Sequence, residues 1–441
     1  MRLTVIGVGY LGLTHAACMA DLGHDVLAID TDHERVARVS AGEMPFFEPG
    51  LEELLRKGLE GGKLRFTTSA ADIGEFGEVH FLCVGTPQGD GGAADLSYVT
   101  SAADALAPHL RSQSLVVGKS TVPAGTARSL LARIRAAAPG ADDVELAWNP
   151  EFLREGNAVQ DTLRPDRFVF GVTSERATAL LRQVYEQPLA DGIPALVMGL
   201  ETAELVKVSA NAFLATKISF INAVADACEA AGADVTQLVG ALALDERIGR
   251  RAMSPGLGFG GGCLPKDIRA FRAKARDLGA DSMVSLLGDV DEINKSRRSR
   301  VVDMARAAVG GSLAGKRVAA LGLAFKPNSD DVRDSPSLDV CGRLAAEGAI
   351  VSAHDPVALE NASRVRPELR YAKSVLEAAD GADLVLHLTE WTEYRSIEPS
   401  ALAEVVARPV VIDARCVLDV RAWEAAGWTV RTMGRSATLR G

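Results

Sequence analysis

Residues Leu3-Thr-Val-Ile-Gly-Val-Gly-Tyr-Leu-Gly12 carry the reading that decides the fold. Leu3 to Ile6 is a short apolar run rich in β-branched residues, the pattern of a buried strand. Gly7, Gly9 and Gly12 follow at once, and a helical stretch runs from Thr14 to Leu22. A turn at Gly23 then opens a second apolar run that ends in Asp30, 18 residues after Gly12. Further strands are predicted at Val79 to Val84, Leu115 to Gly118 and Val144 to Ala147, with helices such as Ser97 to Leu110 and Thr126 to Ala137 between them. Strands alternating with helices in this way imply a parallel, doubly wound sheet.

Past residue 200 the pattern changes. Glu201 to Ala231 contains neither proline nor glycine and is apolar around most of its circumference, which predicts one long helix buried between domains or subunits. The alternation resumes near residue 315, where Lys316 to Phe325 echoes the first strand and turn. Gly348 to Asp355 echoes the strand ending in Asp30, and strands at Ala382 to Leu388 and Val410 to Ala414 complete the parallel. The expected architecture is α/β: two Rossmann-like, doubly wound parallel-sheet domains joined by a long central helix. The expected boundaries are 1–200 for a dinucleotide-binding domain, 201–300 for a helical dimerisation region and 301–441 for a second ligand-binding domain. The second copy lacks the full glycine fingerprint, so it is expected to bind something other than the same dinucleotide.

Composition narrows the function. A chain of 441 residues with 47% hydrophobic and 24% charged residues has the make-up of ordinary globular domains, and no apolar run is expected to span a membrane. The opening residues do not read as a secretory signal, so a cytoplasmic location is expected. A net charge of -10 argues against nucleic acid as a partner, because neutralising phosphates takes clustered Lys and Arg. Cys18, Cys83, Cys228, Cys263, Cys341 and Cys416 lie far apart with no Cys-x-x-Cys pair, so neither a disulfide framework nor a metal site is expected. The seven histidines are scattered and read as surface or packing residues.

Gly7-x-Gly9-x-x-Gly12 would be a weak signal alone, but it follows a strand, opens a helix and precedes an acid at the end of the next strand. Glycine lets the backbone approach a pyrophosphate, the helix N-terminus offers N–H donors, and Asp30 can accept from a ribose hydroxyl. Asp30 would repel a 2'-phosphate, which favours NAD over NADP, with Arg35 nearby as a counterweight.

A second stretch, Gly258-Phe-Gly-Gly-Gly-Cys-Leu-Pro-Lys-Asp267, sets one thiol after three glycines. The glycines are read as leaving room for a ligand against the backbone, and Leu264-Pro265-Lys266-Asp267 as a helix start. Cys263 at that helix N-terminus, beside Lys266, is favoured as a thiolate nucleophile, and Asp267 can hold a water or act as a base. Cys18, Cys83, Cys228 and Cys341 read as structural. Lys207 and Asn211 are four residues apart on the long helix and share a face, suited to steadying a developing oxyanion, though an ordinary exposed lysine is the alternative. Glu151 and Glu155 have the same spacing and read equally as a solvated helix face. A nicotinamide site together with an activated thiol suggests oxidation to an acid through a thiohemiacetal and a thioester.

At this point the chain resembles, over essentially its whole length, the UDP-glucose/GDP-mannose dehydrogenase family. The matching stretches are VIGVGYLGL, CVGTP, KSTVPAGT, NPEFLREG with its following PDR, ELVK with NAFLATKISFIN, DERIG, GFGGGCLPKD, FKPNSDDVRDSPS, LTEWTEYR and VIDAR. The resemblance implies oxidation of UDP-glucose to UDP-glucuronate with two NAD+ and one water, without release of the aldehyde, in a homodimer built around the long helix. It implies Cys263 as nucleophile, Lys207 and Asn211 stabilising the reacting oxygen, and Asp267 with Thr121 and Glu151 organising water. It puts Gly7, Gly9, Tyr10, Leu11, Gly12, Asp30, Arg35, Thr86, Thr121, Glu155, Lys266 and Arg333 near NAD. Substrate contacts are implied for Glu151, Phe152, Leu153, Arg154, Glu155, Lys207 and Asn211. The same is implied for the loop Ala252, Met253, Ser254, Pro255 and Gly256, for Gly260 and Lys326, for Arg247 reaching across the dimer, and for Arg415 on the diphosphate.

Ala252, Gly262 and Cys416 depart from the family's usual residues, an aromatic, a serine, and an asparagine or arginine. The TEW stretch and Pro-Asp-Arg lean towards UDP-glucose. The alternatives are the same chemistry on GDP-mannose or a UDP-N-acetylhexosamine, and a non-catalytic dinucleotide-sensing dimer.

Overall fold

Eight short strands, none longer than five residues, open the chain: β1 (Arg2–Ile6), β2 (Asp25–Ile29), β3 (Leu64–Thr67), β4 (Val79–Leu82), β5 (Leu115–Gly118), β6 (Glu145–Trp148), β7 (Phe168–Gly171) and β8 (Ala195–Met198). The computed structural model describes residues 1–138 and 143–435, apart from the side chains at 74 and 75. It divides into two compact units, Met1–Ala210 and Asn211–Gly441.

In the first unit the strand order is β3-β2-β1-β4-β5-β6-β7-β8. Pairs are parallel except β6 with β7. The central strands β4 and β5 are buried at every position, as a sheet covered on both faces requires, and this is why their sequences are continuous apolar runs. One face packs against the helix Tyr10–Asp21, in which every residue from Gly12 to Ala20 is buried. The opposite face carries the helices Ser97–Leu106 and Thr126–Ala137. The sequence predicts the first helix from Thr14, but it begins at Tyr10 with Gly9 as its N-cap. Glycine turn and helix end are therefore one structure.

The second unit repeats the topology with β9 (Arg317–Leu321), β10 (Ile350–His354), β11 (Arg370–Tyr371), β12 (Leu384–His387), β13 (Val410–Asp413) and β14 (Thr429–Thr432), ordered β11-β10-β9-β12-β13-β14. All its pairs are parallel. Two parallel, doubly wound sheets are thus present as the sequence predicts. The short strands β3, β7, β8, β11 and β14 were outside that prediction; β3, β8, β11 and β14 are edge strands of two to four residues, which carry little pattern.

The long helix spans Leu200–Ala231. Contrary to the expectation of no span-length segment, it has the length and composition to cross a bilayer, with mean hydropathy 1.3 over its most apolar window. Only 44% of that window is buried in this chain, and Phe213, Leu214 and Phe220 stand exposed. A second long helix, Asp281–Ala308, was not predicted. Polar residues interrupt its buried face, between Leu287 and Val290 on one side and Val301 and Val302 on the other: Asp291 pairs with Arg269 and Lys295, and Arg297, 1% exposed, pairs with Asp226. Buried ion pairs in mid-helix break the apolar periodicity by which a helix is read from sequence.

Candidate functional site

The glycine turn lies at the C-terminal end of β1. A Cβ on Gly12 would fall 1.7 Å from the Gly7 carbonyl oxygen, so helix and strand approach closely only because no side chain intervenes. No side chain caps the helix at Gly9, and a Cβ placed there would meet nothing within 4 Å. A helix end presenting amides into open space is a cradle for an anion. Asp30, at the end of β2, accepts from the Val8 amide at 2.8 Å and from Arg35 at 3.0 Å. The turn, the helix end and the acid stand in the arrangement that holds a dinucleotide's pyrophosphate and ribose, so the residues present fit that group.

Thr121 is half-buried on the loop between β5 and the helix Thr126–Ala137, and Thr86 is buried just past β4. The loop is fastened from below by Glu204, one turn before Lys207 on the long helix. Its carboxylate accepts from the amides of Gly125 at 2.7 Å and Ala127 at 2.6 Å, which makes it the cap of Thr126–Ala137 from 77 residues away.

Glu151 to Gly156 is a loop, so Glu151 and Glu155 do not share a helix face as their spacing allowed; the helix starts only at Ala158. Glu151 meets Lys207 at 3.1 Å, and both are largely buried. The exposed-lysine alternative for Lys207 is thereby removed. Phe152 lies under two cations, Arg167 at 4.1 Å and Lys207 at 5.6 Å from the ring centre. Leu153 donates its amide back to Glu151, whereas Arg154 is clamped on Asp161 by two side-chain hydrogen bonds. A cavity of about 30 Å³ beneath this loop is lined by His15, Lys119, Asn149, Glu151 and Tyr185 among others. Burial pushes the Lys119 ammonium down to about 8, and it donates to Asn149 at 3.0 Å.

In the second unit, Cys263 is the N-cap of the helix Leu264–Asp277, with Pro265 in its first turn, and it is exposed. Four of the other cysteines are buried and Cys416 is half-buried. Burial pushes Cys18, Cys83 and Cys341 up to about 12, which suits a structural role. One turn into the helix, Asp267 is 2% exposed and accepts from Asn211 at 2.6 Å and from Lys266 at 2.6 Å.

The glycines before Cys263 do not leave the room that the sequence suggested. Gly261, at φ +84, would drive a Cβ to within 2.7 Å of the Phe325 ring. Gly260 is pressed in the same way by the Asp334 carbonyl oxygen at 2.3 Å, and the Gly261 amide donates to the Arg333 carbonyl at 2.9 Å. The space is filled by protein, from the Phe325 to Ser335 segment. Arg333 turns its guanidinium to Asp331, and Lys326 stands 5.4 Å from the Phe325 ring centre.

Arg415 donates to the carbonyls of Leu388 at 2.6 Å and Gly258 at 3.1 Å, tying the loop before Cys263 to β12. Met253 and Pro255 are buried and Ser254 is exposed; Gly256 donates its amide to Asn222 at 2.8 Å. Ala252 (φ +59) and Cys416 (φ +58) occupy the left-handed region, where a small or amide side chain is better tolerated than a bulky one. Arg247 is highly exposed and pairs with Asp245, two residues before it. Asp355, the echo of Asp30, is 1% exposed and accepts from the amides of Leu323, Ala324, Val357 and Ala358. It is a structural cap facing inward, which accords with a second sheet that binds a different ligand.

A doubly wound unit with a complete dinucleotide turn, and a second with the same topology and no such turn, define a class of two-sheet dehydrogenases. The chain belongs to the UDP-glucose/GDP-mannose dehydrogenase family. Residues 1–189 match its NAD binding domain, 201–296 its central domain and 319–420 its UDP binding domain. The UDP-glucose 6-dehydrogenase of Rhizobium meliloti is 40% identical over 438 residues, covering 99% of this chain and 100% of the relative. A solved UDP-glucose dehydrogenase from Pyrobaculum islandicum is 39% identical, with a TM-score of 0.90 over 97% of this chain and 98% of its own. A UDP-D-ManNAc dehydrogenase structure from Pyrococcus horikoshii is 26% identical, with a TM-score of 0.87 over 99% of both chains.

Proposed function

We propose that this chain is an NAD-dependent oxidoreductase that converts UDP-glucose to UDP-glucuronate through a covalent adduct on Cys263. The observation that carries this reading is the exposed thiol at the head of Leu264–Asp277, one turn from the buried Asp267–Asn211 pair. Full-length identity of about 40% to a UDP-glucose 6-dehydrogenase supports UDP-glucose as the substrate.

When bound, NAD+ would supply a hydride acceptor for each of two oxidations, and the turn Gly7 to Gly12 with Asp30 would hold it. Lys207 and Asn211 stabilise negative charge on the sugar oxygen at C6. The Cys263 sulfur adds to the aldehyde carbon, giving a thiohemiacetal, and oxidation of that carbon leaves a thioester. Asp267, with Thr121 and Glu151, positions the water that attacks the thioester; carboxylate leaves and the thiol is restored. The helix end at Cys263 favours the thiolate throughout.

The same reading assigns residues 1–200 to cofactor binding, 201–300 to dimerisation and the nucleophile loop, and 301–441 to the nucleotide sugar. The exposed Phe213, Leu214 and Phe220 on Leu200–Ala231 support a homodimer built on that helix. Six reduced cysteines suit a cytoplasmic enzyme.

Counting NADH formed per UDP-glucose consumed tests the proposal. Two NADH with UDP-glucuronate as product supports it. One NADH means an alcohol dehydrogenase, and none means a different sugar or a sensor.

A further inference from the structure

Glu48 has no role in the chemistry above, yet it joins two parts of the first unit that do. It sits on the loop before the helix Leu51–Glu60, 6% exposed. Its carboxylate accepts from three donors: the Tyr10 hydroxyl, the Gly156 amide at 2.7 Å and the Ala158 amide at 2.7 Å. Tyr10 is the first residue of the helix whose N-terminus forms the dinucleotide cradle. Gly156 and Ala158 close the Glu151 to Gly156 loop and begin the helix Ala158–Leu163. Asn157, the N-cap of that helix, makes no side-chain cap, so Glu48 supplies the cap from 110 residues away.

We infer that Glu48 is a positioning residue that transmits occupancy of the dinucleotide cradle, through the Tyr10 hydroxyl, to the Glu151 to Gly156 loop. The inference rests on the NAD reading. A ligand seated on the helix end at Tyr10 contacts the residue whose hydroxyl is fixed to Glu48, and the same carboxylate fixes two loop amides. Hydrogen bonds to an ionised acceptor are short and directional, so a shift of one donor changes the geometry offered to the others. Phe46 packs on the Tyr10 ring at 4.9 Å and holds the phenol in line with the carboxylate. Burial, and then Glu48 itself, raise the Tyr10 phenol above its usual range, so it stays protonated and remains a donor. Coupling of this kind is reciprocal: a ligand that orders the loop must also tighten NADH binding.

The test is amide hydrogen exchange of the segment 152–160 with and without NADH, in the unsubstituted chain and in Tyr10→Phe and Glu48→Gln. NADH binding is read separately by nucleotide fluorescence. NADH is expected to slow exchange of that segment about fivefold or more in the unsubstituted chain. In Tyr10→Phe, which removes only a hydroxyl, the change should fall below about twofold when compared at NADH concentrations that fluorescence shows to be saturating for each chain. Glu48→Gln should exchange faster at Gly156 and Ala158 even without NADH, and show no NADH effect. NADH binding without any change in exchange overturns the coupling alone, as does an undiminished effect in Tyr10→Phe. Absence of NADH binding to the unsubstituted chain overturns the cofactor reading and the coupling with it.

Discussion

Asn211 donates its side-chain amide to the Asp267 carboxylate at 2.6 Å, and both residues are buried. The bond ties the long helix to the helix headed by Cys263. A hydrogen bond to a buried charged group contributes about 1.5–3 kcal/mol, and its loss leaves the carboxylate underserved. Asn211→Ala is therefore expected to lower kcat about a hundredfold, with a smaller change in KM, because oxyanion stabilisation and carboxylate placement fail together. Steady-state kinetics with UDP-glucose measures both constants. A kcat within twofold of the parent would remove Asn211 from the proposed chemistry.

Exposure separates Cys263 from the other thiols, four of which are buried. Iodoacetamide at neutral pH is expected to label Cys263 first and to abolish acid formation with one equivalent incorporated. Peptide mapping locates the label. Cys263→Ser should accumulate material at the aldehyde stage, since a serine hydroxyl beside the same helix end remains protonated. Normal UDP-glucuronate output from that variant would eliminate the thiol as nucleophile.

How far the molecule could be read from its sequence depended on how local each signal was. The turn from Gly7 to Gly12 and the acid at Asp30 lie within one βαβ unit, so spacing alone identified them. Cys263 was equally local, because glycine, thiol and proline fall within the stretch Gly262 to Pro265. Glu48 gave no such signal, since its donors lie 38, 108 and 110 residues away. Glu204 stood inside a quoted motif, but its role as a cap depends on amides 77 and 79 residues off. The helix Asp281–Ala308 escaped because its inner face holds Asp291, Asn294 and Arg297, which hydrophobic periodicity scores as exposed. The crowding of Gly260 and Gly261 by Phe325 and Asp334 likewise joins stretches more than 60 residues apart.

That crowding makes the glycine run sensitive. Gly261→Ala places a Cβ 2.7 Å from an aromatic ring, at φ +84, where an L side chain is strained by about 1–2 kcal/mol before any clash. A loss of roughly 2 kcal/mol or more in urea unfolding is expected, together with weakened activity as the Cys263 loop moves. Adding Phe325→Leu should recover part of the stability, because the two sites share one contact and their effects are not additive. Strict additivity of the two substitutions would show that the ring is not what excludes the side chain.

Lys119 is enclosed at the end of β5, with Asn149 and Tyr185 as partners and Glu151, Cys83 and His15 nearby. Burial lowers it from the usual 10.5 to about 8. In the unfolded chain it titrates at the ordinary value, so between about pH 8 and pH 10.5 the unfolded state binds more protons and stability rises with pH. The cost of holding the charge is complete below about pH 8, on the order of 3 kcal/mol, and is gone above about pH 10.5. Lys119→Met keeps the stem volume and lets the Tyr185 hydroxyl go on donating to Asn149 at 2.7 Å. It is expected to be more stable than the parent at pH 7 by about 1–3 kcal/mol, with the advantage shrinking steadily towards pH 10.5. Paired urea titrations at several pH values measure the difference and cancel the titration of every other group. A Met variant that is less stable at pH 7, by an amount that does not change with pH, would mean that the ammonium is stabilised by its surroundings rather than strained by burial.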